Sequence, residues 1–346
     1  MQINGRKLGK DYKPYMIAEL SANHCGSIDR AKNLILQAAR CGVDAIKIQI
    51  YTPDTMTIDC NKPDFQIGDG LWAGYNLYEL YKHAYTPFEW HEDLFRYASE
   101  IGIILFSTPF DESAVDLLEN LNTPAYKIAS FELTDLPLIE CVAKKNKPIF
   151  LSTGMGSIEE IDEAVRTIRA YSQSDILLFH CISSYPTPTN QSNLSNIHVL
   201  SREFDVEVGL SDHTLSNLAA TVAVGMGAVA IEKHFKLDES ECGPDSSFSI
   251  TPNQLSKLIE DCNKAWLARG HDGFFRADVE SKNTIFRRSL YFINGIAKGQ
   301  SVKDSDIRRI RPGYGIRPKH LRDVLGKKLT KNVERGDPVT WDCFEK

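Results

Sequence analysis

Eight short apolar runs recur along the chain: Tyr15–Leu20, Asp44–Ile50, Ile103–Ser107, Ala125–Ala129, Pro148–Ser152, Ile176–Cys181, Val206–Leu210 and Ala228–Ile231. Between them, apolar residues return at helical spacing over Ile28–Cys41, Pro87–Gly102, Ser113–Leu121, Leu136–Lys144, Ile158–Ser172 and Asn196–Phe204. A small-residue helical stretch joins the last two runs, and Pro252–Arg269 follows them. The runs are continuous rather than alternating in polarity, as expected of parallel strands covered on both faces. No G-x-G-x-x-G follows the first strand, which disfavours a doubly wound dinucleotide-binding sheet. The pattern predicts an α/β fold, a (β/α)8 TIM barrel over residues 1–269. Residues 2–9, QINGRKLG, read as a hairpin turning at Asn4-Gly5. Residues 51–85 are irregular and aromatic, and too long for a routine loop, so they are predicted to be functional.

The GHDG at 270–273 opens a predicted linker, 270–282. Glycine-punctuated β segments then fill 283–346, a small β-rich second domain that must pack against something. Composition changes this picture little: of 346 residues, 42% are hydrophobic and 25% charged. A net charge of -6 gives no electrostatic case for nucleic acid or an anionic membrane as partner. No run approaches the ~20 apolar residues of a membrane span, and MQINGRKLGKDYKPY lacks the apolar core of a signal peptide. A cytoplasmic protein is expected. Eight cysteines, at 25, 41, 60, 141, 181, 242, 262 and 343, form no CxxC pair and are expected to be reduced. Cys25 and Cys181 fall near strand ends and read as small buried filler more readily than as nucleophiles.

In such a barrel, chemistry sits where the strands end. The seventh and eighth runs are followed by Ser211-Asp212-His213 and by Glu232-Lys233-His234. Parallel neighbours place His213 and His234 on the same side of the sheet, where two neutral imidazoles suit a divalent metal. The alternative is a pair of ordinary hydrogen-bonded strand-end histidines. The first strand ends in Glu19, then Ser21, Asn23 and His24, and the second carries Lys47 and Gln49 on one face. Further strand ends offer Thr108, Lys127 with Ser130 and Glu132, Ser152, and Ser183 with Tyr185. Lysines inside strands need an anionic ligand or a buried carboxylate partner, and with Ser/Thr hydroxyls they would cradle a phosphate or carboxylate. Residue chemistry alone supports a lyase, an aldolase and a phosphate-releasing condensing enzyme equally.

The strings IAELSANHCG, IKIQIY, FSTPF, YKIASFE, LSTGM, HCISSYPTP, GLSDHT, IEKHF and CGPD together resemble the sialic acid synthase family. The likeness covers nearly the whole chain, with IRRIRPGYGI matching that family's C-terminal antifreeze-like (SAF) domain. YTPDTMT and GLWAGYNLYELY look most like the pseudaminic-acid branch. The resemblance implies condensation of phosphoenolpyruvate with an amino sugar to a nine-carbon ulosonic acid, the branch's sugar being 2,4-diacetamido-2,4,6-trideoxy-L-altrose. An aromatic-lined pocket suits that sugar's acetamido and 6-deoxy methyl groups. N-acetylneuraminic or legionaminic acid synthesis is the nearest alternative. A metal-dependent hydrolase or a non-catalytic glycan-binding protein is more distant.

By the same resemblance, His213 and His234 hold a divalent cofactor, Mn2+ first, with Mg2+ or Co2+ as alternatives. Lys47, Thr108, Lys127, Ser130, Ser152, Ser183 and Ser211 take phosphoenolpyruvate, and Glu19, Lys47 and Lys127 are catalytic, Glu19 as proton shuttle. Gln49, Glu132, Tyr185 and Asp245 bind the sugar. Ser183 departs from the family's common Asn. The resemblance also implies a domain-swapped homodimer in which Arg311 reaches the partner's sugar site, against the plainer reading of Arg308, Arg309 and Arg311 as a solvated basic patch.

Overall fold

The computed structural model describes residues 1–239, 243–271 and 273–345. The chain divides into two compact units, Met1–His271 and Asp272–Lys346. In the first, β1 (Gln2–Ile3) and β2 (Arg6–Lys7) form an antiparallel hairpin. Eight parallel strands follow: β3 (Tyr15–Glu19), β4 (Ala45–Ile50), β5 (Ile104–Pro109), β6 (Tyr126–Ile128), β7 (Ile149–Ser152), β8 (Ile176–Cys181), β9 (Glu207–Asp212) and β10 (Ala230–His234). They close into a barrel, β10 pairing with both β9 and β3. The outer helices are α1 (Ile28–Cys41), α4 (Trp90–Glu100), α5 (Glu112–Asn120), α6 (Leu136–Ala143), α7 (Ile158–Tyr171), α8 (Asn196–Phe204), α9 (Leu218–Gly225) and α10 (Pro252–Arg269). The predicted irregular segment contains two short helices, α2 (Pro53–Met56) and α3 (Leu77–Ala84).

Local chemistry sets the helix ends. Ser27 caps α1 by accepting from the Arg30 N–H, and Gly42 ends it in a left-handed conformation at φ 92°. Ser157 and Glu160 form a capping box on α7. Packing between helices and strand exteriors buries one continuous apolar cluster. A second cluster, inside the barrel, is made by alternate residues of the strands: Tyr15, Ile17, Ala45, Phe106, Phe150, Leu177, Phe179 and Ala230. Ile3 and Leu8 of the hairpin segment join it and close the N-terminal end. Phe150 packs edge-on against Phe106 at 5.4 Å and Phe179 at 5.8 Å. A Cβ at Gly209 would meet Phe179 and the Ala230 carbonyl at 2.8 Å, so β9 must be side-chain-free where the Phe179 ring lies.

The second unit has its own core, with Leu290, Phe292, Val302, Val324, Leu329 and Val339 at its centre. Antiparallel β11 (Ser289–Phe292) and β12 (Ile307–Ile310) and a short helix, α11 (Leu321–Val324), support it. The stretch read as linker carries a 3-10 helix at Asp278–Phe286. Among the described residues no helix is long and apolar enough to cross a membrane. Six cysteines are free, but Cys25 is disulfide-bonded, which corrects the expectation of reduced thiols throughout. Cys242, within the CGPD string, lies outside the described residues.

Candidate active site

The strand residues that fill the barrel's lower interior continue upward into polar ones on the same face. Tyr15 and Ile17 lead to Glu19, Ala45 to Lys47 and Gln49, Phe106 to Thr108, and Phe150 to Ser152. Gly209 leads to Ser211, and Ala230 to Glu232 and His234. Three strands run further than their apolar runs, β5 by Thr108 and Pro109. β9 includes Ser211 and Asp212, and β10 includes Glu232, Lys233 and His234, because the barrel interior at this end is itself polar. The outward-facing pair of this extension is also buried: Lys233 Nζ bonds Asp212 Oδ2 at 2.7 Å and the Thr214 carbonyl, tying β10 to the loop after β9.

At the floor lies a closed set of charges. Lys47 Nζ is 2.8 Å from Glu19 Oε2 and 3.2 Å from Glu232 Oε1, and Lys127 Nζ is 3.4 Å from the same Glu232 oxygen. Ser211 donates to that oxygen at 2.9 Å, while Glu232 Oε2 has no partner. The carboxylate alternative therefore describes the lysines in this structure, and Glu232 is the residue that sequence reasoning missed. Burial alone would push the Glu232 carboxyl up, but the Lys127 and Lys47 ammoniums outweigh it and hold it at about 2. Burial pulls Lys47 down, and the two carboxylates more than restore it; Lys127, with one carboxylate neighbour, is left lowered. Burial raises Glu19 despite Lys47.

Above this floor opens a cavity of about 450 Å³. Its lining includes Lys47, Gln49, Lys127, Ser130, Glu132, Ser152, Tyr185, Ser211, His213, His234 and Asp245, so the structure brings these sequence-singled residues together. Thr108 stands behind Lys47, accepting from its Nζ at 3.3 Å. Ser183 is not on the wall; its hydroxyl lies beside Gly154, where a Cβ would collide with it. The Gly154 N–H donates to Ser130 Oγ at 3.1 Å, and the buried hydroxyls of Ser152 and Ser183 have no partner. Burial raises the Glu132 carboxyl to about 7, and its Oε2 is unpartnered. Gln49 donates to Ser21 Oγ at 3.2 Å, and Ser21 donates to Asp245. Tyr185 lies against His213, ring centroids 4.3 Å apart.

His213 and His234 face one another with centroids 5.4 Å apart. His213 Nδ1 lies 3.0 Å from the Ile182 carbonyl, which can only accept, so Nδ1 carries a proton and Nε2 is the nitrogen left to meet a ligand. His234 Nδ1 is buried without a hydrogen-bond partner, 3.9 Å from Asp245 Oδ2. Burial, then His213 and Lys47, hold His234 well below the usual imidazole range and hence neutral. Such donors fit a divalent ion. Among the described residues no group of three or more His, Cys, Asp or Glu side chains is gathered to hold one alone, so oxygen from substrate or water must complete the shell. His24 is different: it accepts from the Gly26 N–H and packs edge-on against Trp90, and burial lowers it to about 4, a structural role. Arg311 belongs to the second unit, exposed just after β12.

Lysines, serine hydroxyls and paired imidazoles lining one barrel-mouth cavity define a barrel enzyme for a small anionic substrate and a polar co-substrate. Residues 34–273 match the NeuB family and 287–345 the SAF domain, and the chain belongs to the NeuB family. It is 42% identical to pseudaminic acid synthase of Campylobacter jejuni subsp. jejuni serotype O:23/36, over 99% of this chain and 100% of that protein. Identity is 35% with N,N'-diacetyllegionaminic acid synthase of Legionella pneumophila subsp. pneumophila, over 99% and 98%. The crystal structure of N-acetylneuraminic acid synthetase from Leptospira borgpetersenii serovar Hardjo-bovis in complex with citrate gives a TM-score of 0.74 at 28% identity, covering 82% of this chain and 94% of that one.

Proposed function

We propose that the chain condenses phosphoenolpyruvate with 2,4-diacetamido-2,4,6-trideoxy-L-altrose and water, giving pseudaminic acid and phosphate. The observation that carries this reading is one cavity with an anion end (Lys47, Lys127, Ser130, Ser152, Ser211) and a carbonyl end (His213, His234, Asp245). The near full-length likeness to pseudaminic acid synthase selects the sugar.

Ser130, Ser152 and, by way of Gly154, Ser183 would take phosphate oxygens, with Lys127 and Lys47 supplying the charge. Carbon 3 of the enol attacks the sugar aldehyde carbon, and the aldehyde oxygen takes a proton from the Glu19 carboxyl, which is restored in the next step. Water then adds at carbon 2, releasing a proton to Glu19, whose raised carboxyl can hold it. The C2–O bond to phosphate breaks, and the hydroxyl proton passes to the departing phosphate, leaving the 2-keto acid. A divalent ion on His213 and His234, Mn2+ in this proposal, would supply Lewis-acid polarisation of the aldehyde oxygen. Gln49, Glu132, Tyr185 and Asp245 would orient the sugar. Phe131, in the 3-10 turn after β6, and Met155, in the turn after β7, stand uncovered at 60% and 63% exposure. We assign their cover to the SAF unit of a second copy, with Arg311 entering the sugar site from there.

The test is phosphate release from phosphoenolpyruvate with Mn2+ and a sugar panel: the diacetamido-trideoxy-altrose, its legionaminic counterpart and N-acetylmannosamine. Release with the altrose, lost on chelation and restored by Mn2+, is expected. Release only with another sugar would overturn the substrate, and turnover in metal-free buffer the ion site.

A further inference from the structure

The upper part of the cavity is built by the long segment after β4, and it is mostly apolar: Met56, Ile67, Trp72, Leu77 and Leu80 line it, with the phenol of Tyr81 at its side. Residues 66–76 form a narrow flap, with Ile67 donating to the Tyr75 carbonyl at 2.9 Å and Gly74 to the Ile67 carbonyl at 3.0 Å. Leu71, Ala73, Gly74 and Tyr75 at its tip are exposed, whereas Trp72 turns inward. The indole N–H donates to the Pro244 carbonyl at 3.0 Å, and the ring lies tilted against Tyr185 at 5.5 Å. That acceptor is itself fixed. Gly243 approaches the Ala22 carbonyl so closely that a Cβ would meet it at 2.8 Å, and Ser246 donates to Asn23 Oδ1 at 3.0 Å. Tyr185 in turn lies against His213. The flap's one inward aromatic is thus held at both its polar atom and its face, above the imidazoles.

We infer that Trp72 is the specificity-determining residue for the sugar end remote from the aldehyde. Its face closes the apolar compartment over a methyl-terminated, acylamino-bearing chain and itself offers a terminal hydroxyl no partner. This rests on the functional reading above. With the Trp72 N–H committed to Pro244, a hydroxymethyl group entering there would be desolvated against carbon, as would the water it brought. Rejection of an added hydroxyl by an apolar pocket is worth about 10²-fold.

The experiment compares kcat/KM for the 2,4-diacetamido-2,4,6-trideoxy sugar and for the same sugar retaining its 6-hydroxyl, in the wild type, Trp72→Ala and Trp72→Phe. Wild type should prefer the deoxy sugar about 10²-fold. Trp72→Ala should bring that ratio below about tenfold, through a raised KM for the deoxy sugar at nearly unchanged kcat and unchanged KM for phosphoenolpyruvate. Trp72→Phe, which keeps a ring but not the N–H, should retain most of the preference. A Trp72→Ala enzyme that keeps the full ratio, or that loses kcat equally on both sugars, overturns the inference while leaving the functional reading intact. A wild type that turns over neither sugar overturns both.

Discussion

One oxygen of Glu232 serves two ammoniums, Lys47 at 3.2 Å and Lys127 at 3.4 Å, and Lys127 has no other carboxylate within ion-pair distance among the described residues. Removing one member of a buried pair costs about 3–5 kcal/mol. Glu232→Gln should therefore melt well below wild type, and inorganic phosphate should raise its Tm more than it raises the wild type's, because the anion replaces the missing charge. Equal phosphate shifts in a thermal melt would show that the anion does not meet these lysines. Glu132 carries the opposite sign. Burial raises it from 4.5 to about 7, so between those values the folded chain keeps a proton that the unfolded chain has released, and stability falls as pH rises. Glu132→Gln stays neutral. Its Tm should gain on the wild type from pH 4.5 to 7 and hold that gain above, at most about 3 kcal/mol; a constant difference would mean an ordinary carboxyl. Lys47 and Lys127 are legible in the sequence because they interrupt apolar runs. Glu232 is not, because it sits in a polar tripeptide just past the apolar run, which reads as the end of the strand. Continuing the alternation Ala230, Glu232, His234 is the signal that finds it.

At the level of elements, the barrel depends on how alternate positions fill two different layers. The lower layer is aromatic, and Gly209 is the position where β9 yields its volume to Phe179. Gly209→Ala should cost about 1–3 kcal/mol by overpacking, seen as a lower Tm. Combining it with Phe179→Leu should recover part of that loss, whereas additive losses would show that the two side chains do not compete for one space. The apolar runs gave away all eight strands, since parallel strands buried on both faces must be apolar along most of their length. They understated β5, β9 and β10, because hydrophobicity marks where a strand is covered by carbon and not where its hydrogen-bonded ladder ends. Residues 51–85 are legible only as long and aromatic. Their inward residue is set by a contact to Pro244, distant in sequence, that no local periodicity encodes.

For the whole molecule, the two units are separately cored: the barrel's clusters draw on residues up to Cys262, and the second unit's begins at Leu290. Separate cores allow the SAF unit to serve a barrel other than its own. If two chains exchange these units in a dimer, closed symmetry makes every site the product of two chains. This predicts complementation. A chain with Lys127→Ala has a defective barrel and an intact SAF unit, and a chain with Arg311→Ala the reverse. Each alone should be weak. If the SAF unit acts on the partner's barrel, a mixed dimer contains one site with both defects and one with neither. Random mixing by co-expression should then return about one quarter of the wild-type activity. If instead Arg311 serves the barrel of its own chain, every site in the mixture keeps one defect and mixing restores nothing. The recovered site should also show the wild-type KM for the sugar, because it is a wild-type site assembled from two chains. A restored rate with a raised KM would show that the recovered sites are not wild-type in composition, and would count against the exchange of units.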